Sequence, residues 1–250
     1  MNILPTIKNA FLLVEEGRIA SFGPMESCPT LEGKEVVDAT GKMLLPSWCD
    51  SHTHLVYAGN REEEFKDRIN GLSYEEIANK GGGILNSAKT LQATSAESLY
   101  QQSKVRLEEV MRLGTGALEI KSGYGLTPEA ELKMLRVIKR LQEETSIPIK
   151  ATFLAAHALP EAFKSNKAEF LRKMLGKVLP VLKAEDLASA IDVFCETGYF
   201  SPEDTAEVLQ AAQAYGLVPK IHVNQFNAIG GVAVGVQYNA RSVDHLEILT

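Results

Sequence analysis

Two histidines stand one residue apart in the segment CDSHTH (residues 49–54), which follows the apolar run KMLLPSW. In a β-strand, side chains at positions i and i+2 point to the same side, so His52 and His54 can present both imidazoles to one metal ion. His222, in the later segment KIHVNQF, can supply a third imidazole. Three nitrogen ligands leave an open position for water, as catalytic metal sites do. The spacing therefore predicts a catalytic metal site formed by His52, His54 and His222.

The chain has five histidines, and His157 and His245 complete the set. Either could be a metal ligand or a hydrogen-bonded polar residue at the rim of the site, and we favour functional roles other than metal binding. In binuclear metal barrels of this layout, a lysine on the fourth strand bridges two ions. The matching segment here, IDVFCETG, offers only Cys195 and Glu196. A single metal ion is therefore predicted.

Polar residues suited to substrate binding follow other apolar runs. In KSGYGL (residues 121–126), Gly123 and Gly125 allow a sharp turn that exposes the Tyr124 hydroxyl; an ordinary glycine turn with a packed tyrosine is the alternative. Arg61 can bind a substrate carboxylate, because its planar guanidinium matches that group. Its segment REEEFKDR also fits a solvated helix face. The segment GGGILNSAK lacks the GxxxxGK[ST] spacing of a phosphate loop, which disfavours nucleotide binding.

Strands and helices must position these residues. From Met43 onward, apolar runs alternate with amphipathic segments, and the six strand candidates are KMLLPSWCD, GALEIKSGYG, IPIKATFLAAHA, AIDVFCETG, VPKIHVNQF and RSVDHLEIL. Helix starts are predicted at Thr94, which forms a capping-box pattern with Glu97, and at Thr127 and Ser201, which a proline follows. Continuously apolar strands separated by helices indicate a parallel sheet covered on both faces.

Such a sheet is either doubly wound or closed into a TIM barrel. Each predicted strand ends in polar residues, in order His52/His54, Lys121/Tyr124, His157, Cys195/Glu196, His222 and His245. An open sheet needs such residues only beside its switch point, whereas a barrel brings the carboxyl end of every strand to one mouth. We therefore predict an α/β fold, a TIM-like (β/α)8 barrel of which six βα units are present. Because a barrel closes with eight strands, we expect the sequence to be a fragment that lacks the last strands.

The first 45 residues have a different character. The segments AFLLVEEG, RIASFG and KEVVDATGK are typical of short strands separated by glycine, proline and acidic turns. We therefore predict two domains. Residues 1–45 would form part of a small composite β-sandwich module, and residues 46–250 would form the barrel, incomplete at its C-terminus.

The composition favours a small-molecule partner. The 250 residues carry a net charge of −6 without a cluster of Lys and Arg, which argues against nucleic-acid and anionic-membrane partners. No segment approaches the roughly 20 apolar residues of a membrane span and no basic leader is visible, so we expect a cytoplasmic protein. Cys28, Cys49 and Cys195 lie far apart without a CxxC motif, which indicates neither a disulfide framework nor a thiolate zinc site.

The chain resembles the amidohydrolase superfamily and, within it, the imidazolonepropionase family. The resemblance runs from Leu45 to Glu247 and rests on the segments LPSWCDSHTHLVYAGNREEEF, SYEEIANKGGGIL, EIKSGYGL, TFLAAHALP, DVFCETGYFS, KIHVNQFNAIGG and SVDHLE, in that order. The HxH pair is shared by the whole superfamily, whereas the arginine after it, the GGGI loop and the KSGYGL turn point to this family. The resemblance implies hydrolysis of the ring amide C–N bond of 4-imidazolone-5-propanoate to N-formimidoyl-L-glutamate in histidine degradation.

The resemblance also implies roles for individual residues. One zinc or iron ion would be bound by His52, His54 and His222, with an aspartate beyond residue 250 as the fourth ligand. The substrate, chiefly its propanoate side chain, would be held by Arg61, Tyr74, Tyr124 and His157. Gln225 would contact the substrate ring and His245 would lie beside the activated water, so both are candidate catalytic residues. Deaminase relatives carry a glutamate where Gln225 stands, and the substitution favours ring opening over deamination.

Other functions stay open at this point. Another cyclic amidohydrolase or a deaminase of the same superfamily would carry a similar site. A non-catalytic barrel scaffold is the alternative from a different class, disfavoured because a scaffold has no need of three converging imidazoles. The resemblance also allows a homodimer, a common state in the family.

Overall fold

The computed structural model describes residues 5–30, 32–33, 35–72, 76 and 83–249. The chain divides into two compact units, Met1–Pro46 and Ser47–Thr250. In the described ranges, no helix combines the length and apolar character needed to cross a membrane.

The first unit contains a β-hairpin. Strand β1 (Ala10–Glu15) pairs antiparallel with β2 (Arg18–Pro24). The two turn residues, Glu16 and Gly17, both have positive φ, at 50° and 72°, as a type I′ hairpin turn requires.

The prediction of a third strand at KEVVDATGK is wrong for residues 35–42, the part of this segment that the structure describes. Residues 35–42 form neither strand nor helix, and Val36 and Val37 are 65% and 80% exposed. Apolar alternation favours a strand only where a neighbouring strand supplies backbone partners. The composite sandwich module therefore stays a prediction.

The sheet of the second unit has six parallel strands. In chain order they are β3 (Trp48–Thr53), β4 (Thr115–Lys121), β5 (Ile149–Ala156), β6 (Ala190–Cys195), β7 (Val218–Val223) and β8 (Ser242–His245), and each pairs with the next. Side chains of the first and last of these strands meet, because Nδ1 of His52 on β3 lies 2.9 Å from Oδ2 of Asp244 on β8. The sheet thus curves into a nearly closed barrel. The predicted TIM-like barrel is confirmed with six parallel strands, and a helix follows each of the first five in the described residues.

The helices of this unit lie between the strands in sequence. Those in the described ranges are α1 (Glu62–Ile69), α2 (Ile84–Ala93), α3 (Ala96–Arg112), α4 (Pro128–Glu144), α5 (Lys167–Glu185), α6 (Pro202–Gln213) and α7 (Gly231–Gln237). Thr127 caps α4 and Ser201 caps α6, both as predicted, and Ser201 forms a capping box with Asp204.

The predicted start of α3 is wrong by one residue. Ser95, not Thr94, is the N-cap and accepts a hydrogen bond from the backbone N–H of Ser98. The Thr94 hydroxyl is used elsewhere, since it donates to the carbonyl of Thr90 in the preceding helix at 2.7 Å. A local side-chain bond to one helix thus moves the cap of the next.

The apolar core lies between the strands and the surrounding helices. Met134, Leu135 and Ile138 form the buried face of α4, and they belong to the same cluster as Ile120 of β4 and Phe153 of β5. All five side chains are fully buried. Each contributes roughly 1.5–3 kcal/mol relative to an exposed position. This layer stabilises the barrel and leaves its interior available for polar residues.

Two glycines on helices test the close packing of this layer. A Cβ at Gly231, at the start of α7, would lie 2.8 Å from Sγ of Cys195 and 2.9 Å from Cγ1 of Val223, whereas one at Gly176 in α5 would meet no atom within 4 Å. We expect Gly231→Ala to lower the free energy of unfolding by about 1–3 kcal/mol through overpacking. The control Gly176→Ala should raise it by roughly 0.5–1 kcal/mol. Urea unfolding measures both, and equal effects would contradict the packing described.

Candidate active site

The imidazoles of all five histidines lie at the carboxyl ends of the barrel strands. His52 is in β3 and His54 follows it, His157 follows β5, His222 is in β7, and His245 ends β8. The ring centroids of His52 and His222 are 4.4 Å apart. Those of His54 and His222 are 5.5 Å apart, and those of His52 and His54 are 5.4 Å apart. The three rings therefore surround one space.

The third imidazole beside His52 and His222 can come from either of two residues. Nε2 of His54 lies 3.4 Å from Nε2 of His222. Ligand nitrogens of His52, His222 and His245 all lie within 4.8 Å of one another. The ring of His245 is 5.2 Å from that of His52 and 5.1 Å from that of His222. The choice of His54 as the ligand and of His245 as its neighbour stays a prediction.

The buried rings suit a cation because they are held neutral. Burial, followed by repulsion from His157 and His222, lowers the pKa of His54 well below its ordinary value. Burial, with repulsion from His222, lowers the pKa of His157 to about 3. Burial also lowers the pKa of His222, although Asp192 opposes the shift. Neutral imidazoles keep a lone pair for a metal.

The nitrogens of the buried rings provide a direct test of metal fit. Among the described residues, Nδ1 of His54 and Nδ1 of His222 are buried without a hydrogen bond, although the His222 nitrogen has Oδ2 of Asp192 3.0 Å away as an ion-pair partner. An unpartnered buried polar atom costs free energy unless a ligand satisfies it. The neutral rings and the Nε2 atoms of His54 and His222, which face each other at 3.4 Å, fit a metal ion, whereas a metal bound at Nε2 would leave Nδ1 of His54 without a partner.

Acceptors lie at the Nδ1 atoms of the other four histidines. The pairs are His52 with Asp244 at 2.9 Å, His222 with Asp192 at 3.0 Å, His245 with Glu247 at 3.1 Å, and His157 with the carbonyl of Gly123 at 3.0 Å. An acceptor at Nδ1 holds the ring proton there and leaves the Nε2 lone pair for another partner. The sequence reasoning missed both aspartates. Their signal was a carboxylate inside an apolar strand, which is costly unless paired.

A network of buried charges fills part of the barrel. Nζ of Lys121, whose side chain is fully buried, donates to Asp192 at 2.6 Å, Asp244 at 3.0 Å and Glu119 at 3.2 Å. Lys220 also donates to Glu119. Burial opposes the charge of Lys121, but the carboxylates outweigh it and raise its pKa. Burial likewise opposes the charges of the two aspartates, and the pKa of each is lowered by its histidine and by Lys121.

A second group of predicted residues gathers beside His54. The ring of Tyr124 is 5.4 Å from that of His54 and 5.2 Å from that of His157. The guanidinium carbon of Arg61 is 5.9 Å from the centre of the Tyr124 ring. Nε of Arg61 donates to the Ser87 hydroxyl at 3.0 Å. Arg61, Tyr124 and His157 are thus brought together.

The remaining predicted residues are placed less fully. Gln225 is partly buried in the loop that follows β7. Tyr74 lies outside the described residues. Glu196 holds the loop that carries Gln225, since its carboxylate accepts the backbone N–H groups of Phe226 at 2.8 Å and Asn227 at 3.1 Å.

Glu131 holds the KSGYGL turn in the same manner. Its buried carboxylate accepts the backbone N–H groups of Gly123 at 2.7 Å, Gly125 at 2.7 Å and Leu126 at 2.9 Å. Burial raises the pKa of Glu131, and these hydrogen bonds oppose the shift. Gly123 has φ of 105° and a Cβ there would lie 2.7 Å from Leu154, so the turn requires glycine at this position. The clamp fixes the backbone on both sides of Tyr124.

Comparison with known proteins decides the family. No protein-family model matches the chain. The chain is 62% identical over 249 residues to the imidazolonepropionase of Christiangramia forsetii, covering all of this chain and 61% of the relative. It is 63% identical over 246 residues to the imidazolonepropionase of Flavobacterium johnsoniae, covering 98% of this chain and 60% of the relative. The chain belongs to the imidazolonepropionase family. It spans about 60% of the length of the curated imidazolonepropionases that it matches.

Solved structures with low sequence identity share the fold of this imidazolonepropionase-family chain. A 5-methylcytosine deaminase from Klebsiella pneumoniae, with bound 5-fluorocytosine, matches at a TM-score of 0.64 and 14% identity, covering 91% of this chain and 51% of the deaminase. A zinc-bound amidohydrolase from Burkholderia ambifaria matches at a TM-score of 0.50 and 14% identity, covering 81% of this chain and 62% of the neighbour. These likenesses show a shared barrel fold.

The clamp on the KSGYGL turn can be tested by replacing Glu131 with glutamine. Glu131→Gln would turn an amide N–H₂ towards backbone donors or leave some of them unpaired, so we expect the free energy of unfolding to fall by about 1–3 kcal/mol. Amide hydrogen exchange at residues 123–126 should also quicken. Glu129→Gln is the matched control on the same helix, because Glu129 is exposed and pairs only with Lys177, at 3.3 Å, among its described ion pairs. If both variants behave alike, the clamp has no role.

Proposed function

We propose that the protein is a metal-dependent hydrolase that opens the ring of 4-imidazolone-5-propanoate to give N-formimidoyl-L-glutamate. The observation that carries the proposal is the convergence of the His52, His54 and His222 rings at the barrel mouth, in a chain of the imidazolonepropionase family. Water adds across the ring amide: its hydroxyl oxygen goes to the carbonyl carbon, the C–N bond breaks, and a proton goes to the departing nitrogen.

We assign one zinc or iron ion to this site, held by His52, His54 and His222. A bound ion would supply Lewis acidity and make water nucleophilic at neutral pH. The zinc of the Burkholderia ambifaria amidohydrolase supports a metal in a barrel of this type. The neutral, buried imidazoles of His54 and His222 support it in this chain.

Arg61 and Tyr124 are assigned to the substrate carboxylate. The guanidinium of Arg61 offers a planar pair of N–H donors, and the phenol of Tyr124 offers one O–H donor. The guanidinium carbon lies 5.9 Å from the centre of the Tyr124 ring. Tyr74 is assigned to the same group from the family resemblance. His157 lies between this group and the metal histidines, with its Nδ1 at the Gly123 carbonyl. It therefore presents Nε2 as an acceptor, which suits an N–H of the substrate ring.

His245 and Gln225 are assigned to the reacting atoms. The His245 ring lies about equally far from His52 and His222, so it stands beside the space where water would be activated. Histidine is the side chain that most often transfers protons in catalysis, and protonation of the leaving group needs such a residue. An amide cannot carry a proton in this way, so Gln225 would hold the ring by hydrogen bonds. This difference favours ring opening over deamination.

The wider biological setting is also a proposal. We infer a small-molecule substrate, without a nucleic-acid or membrane partner, from the acidic composition, and a cytoplasmic location stays a prediction. A homodimer is inferred from the family. Light scattering after size exclusion measures the mass directly, and a monomeric mass would contradict the dimer.

The proposed reaction is tested by following the loss of imidazolone propanoate in the ultraviolet with the purified full-length protein. We expect turnover that a strong chelator abolishes and that added Zn²⁺ or Fe²⁺ restores, with about one metal ion per chain. A hydantoin and a dihydropyrimidine serve as control substrates. Turnover of these and not of imidazolone propanoate would identify another cyclic amidohydrolase. No metal and no turnover would identify a scaffold.

Substitutions separate metal binding from substrate binding. We expect His52→Ala or His222→Ala to abolish both metal content and turnover, because each removes a proposed ligand. Arg61→Ala should leave the metal content intact and raise KM by about 10- to 100-fold, which corresponds to the loss of a charged hydrogen bond worth roughly 1.5–3 kcal/mol. Metal analysis and steady-state kinetics measure these effects. Full activity in either histidine variant would refute the site.

A further inference from the structure

Two aspartates tie the candidate metal histidines to the barrel interior. Oδ2 of Asp244 lies 2.9 Å from Nδ1 of His52. Oδ2 of Asp192 lies 3.0 Å from Nδ1 of His222, and Oδ1 of Asp192 accepts the backbone N–H of His222 at 3.2 Å. Asp244 thus hydrogen-bonds Nδ1 of His52, and Asp192 lies beside Nδ1 of His222 at ion-pair distance without hydrogen-bond geometry, so both carboxylates leave Nε2 for another partner. Nε2 of His222 indeed faces Nε2 of His54 at 3.4 Å.

One lysine holds both aspartates. Nζ of Lys121 donates to Oδ2 of Asp192 at 2.6 Å and to Oδ2 of Asp244 at 3.0 Å, which are the same oxygens that face the imidazoles. The side chains of Lys121 and Asp192 are fully buried and that of Asp244 is 13% exposed. Rotating either carboxylate would break a charged hydrogen bond in a medium of low dielectric constant. The two carboxylates are therefore rigidly placed.

We propose that Asp192 and Asp244, joined through Lys121, are positioning residues for metal binding. Asp192 fixes the tautomer and orientation of the His222 ring. Asp244 does the same for His52. Partners of this kind hold the proton on the nitrogen that does not bind the metal and make the other nitrogen a stronger ligand. The inference rests on the proposed function, because it concerns the residues behind the proposed metal ligands.

A purely electrostatic effect is the competing explanation, and Glu119 separates the two. Its carboxylate is also buried and also contacts Nζ of Lys121, at 3.2 Å. Its other described partners are Lys220 and Thr152, and none of its described hydrogen bonds reaches an imidazole. If negative charge alone attracts the metal, removing any of the three charges weakens binding. If positioning matters, Glu119 differs from the two aspartates.

The test compares Asp192→Asn, Asp244→Asn and Glu119→Gln, each of which removes one charge and keeps the side-chain size. Zn²⁺ affinity of the metal-free protein is measured by competition with a chromophoric chelator. We expect about a 10- to 100-fold loss for the two aspartate variants and an affinity close to the wild-type value for Glu119→Gln. The visible spectrum of the Co²⁺ form should change in the two aspartate variants alone.

Equal losses in the three variants, or none in the aspartate variants, would overturn the inference and leave the proposed function standing. A wild-type protein that binds no Zn²⁺ would overturn the proposed function itself.

A second measurement does not depend on the folding of any variant. ¹⁵N NMR of the metal-free, histidine-labelled wild-type protein reports the tautomer of each imidazole. We expect His52 and His222 to carry their protons on Nδ1, and protons on Nε2 would overturn the inference.

Discussion

The salt bridge from Lys121 to two aspartates is the interaction on which the rest of the barrel interior depends. A buried ammonium group without a partner would lose its hydration free energy with no compensating interaction, and the same holds for each buried aspartate. Together they satisfy one another, and the same Oδ2 atoms that accept from Lys121 also lie beside the imidazoles of His52 and His222. The contact between His52 and Asp244 also joins β3 to β8, so the pairing of these charges and the closure of the barrel support each other.

The loops around the mouth are held by a similar principle. Glu131 and Glu196 each place a carboxylate among backbone N–H groups of a loop that carries a candidate substrate residue, Tyr124 in one case and Gln225 in the other. Arg106 holds the backbone after His54, because its guanidinium donates to the carbonyl of Tyr57 at 2.8 Å. Such contacts keep loop side chains close to a productive arrangement before substrate binds, which lowers the entropic cost of binding.

The sequence predicted the barrel and the meeting of the histidines, because both follow from local patterns: apolar runs separated by helices, and side chains two residues apart on one strand. It did not predict the partners of those histidines. The contact between His52 and Asp244 joins residues 192 positions apart, and no local pattern says which strands will face each other across a barrel. Two local predictions were wrong for a related reason: the helix cap at Thr94, which lies at Ser95, and the strand at KEVVDATGK. Each depended on a neighbouring element that the segment itself does not encode.

The charge count of the interior bears on what the site can hold. Two ammonium groups, of Lys121 and Lys220, face three carboxylates, of Glu119, Asp192 and Asp244, which leaves one net negative charge. A protonated histidine could offset it, but burial and mutual repulsion lower the pKa of His54, His157 and His222. Neutral imidazoles keep the lone pairs that the proposed metal ion would need, and the placement of Asp244 behind His52 and of Asp192 behind His222 sets where those lone pairs point.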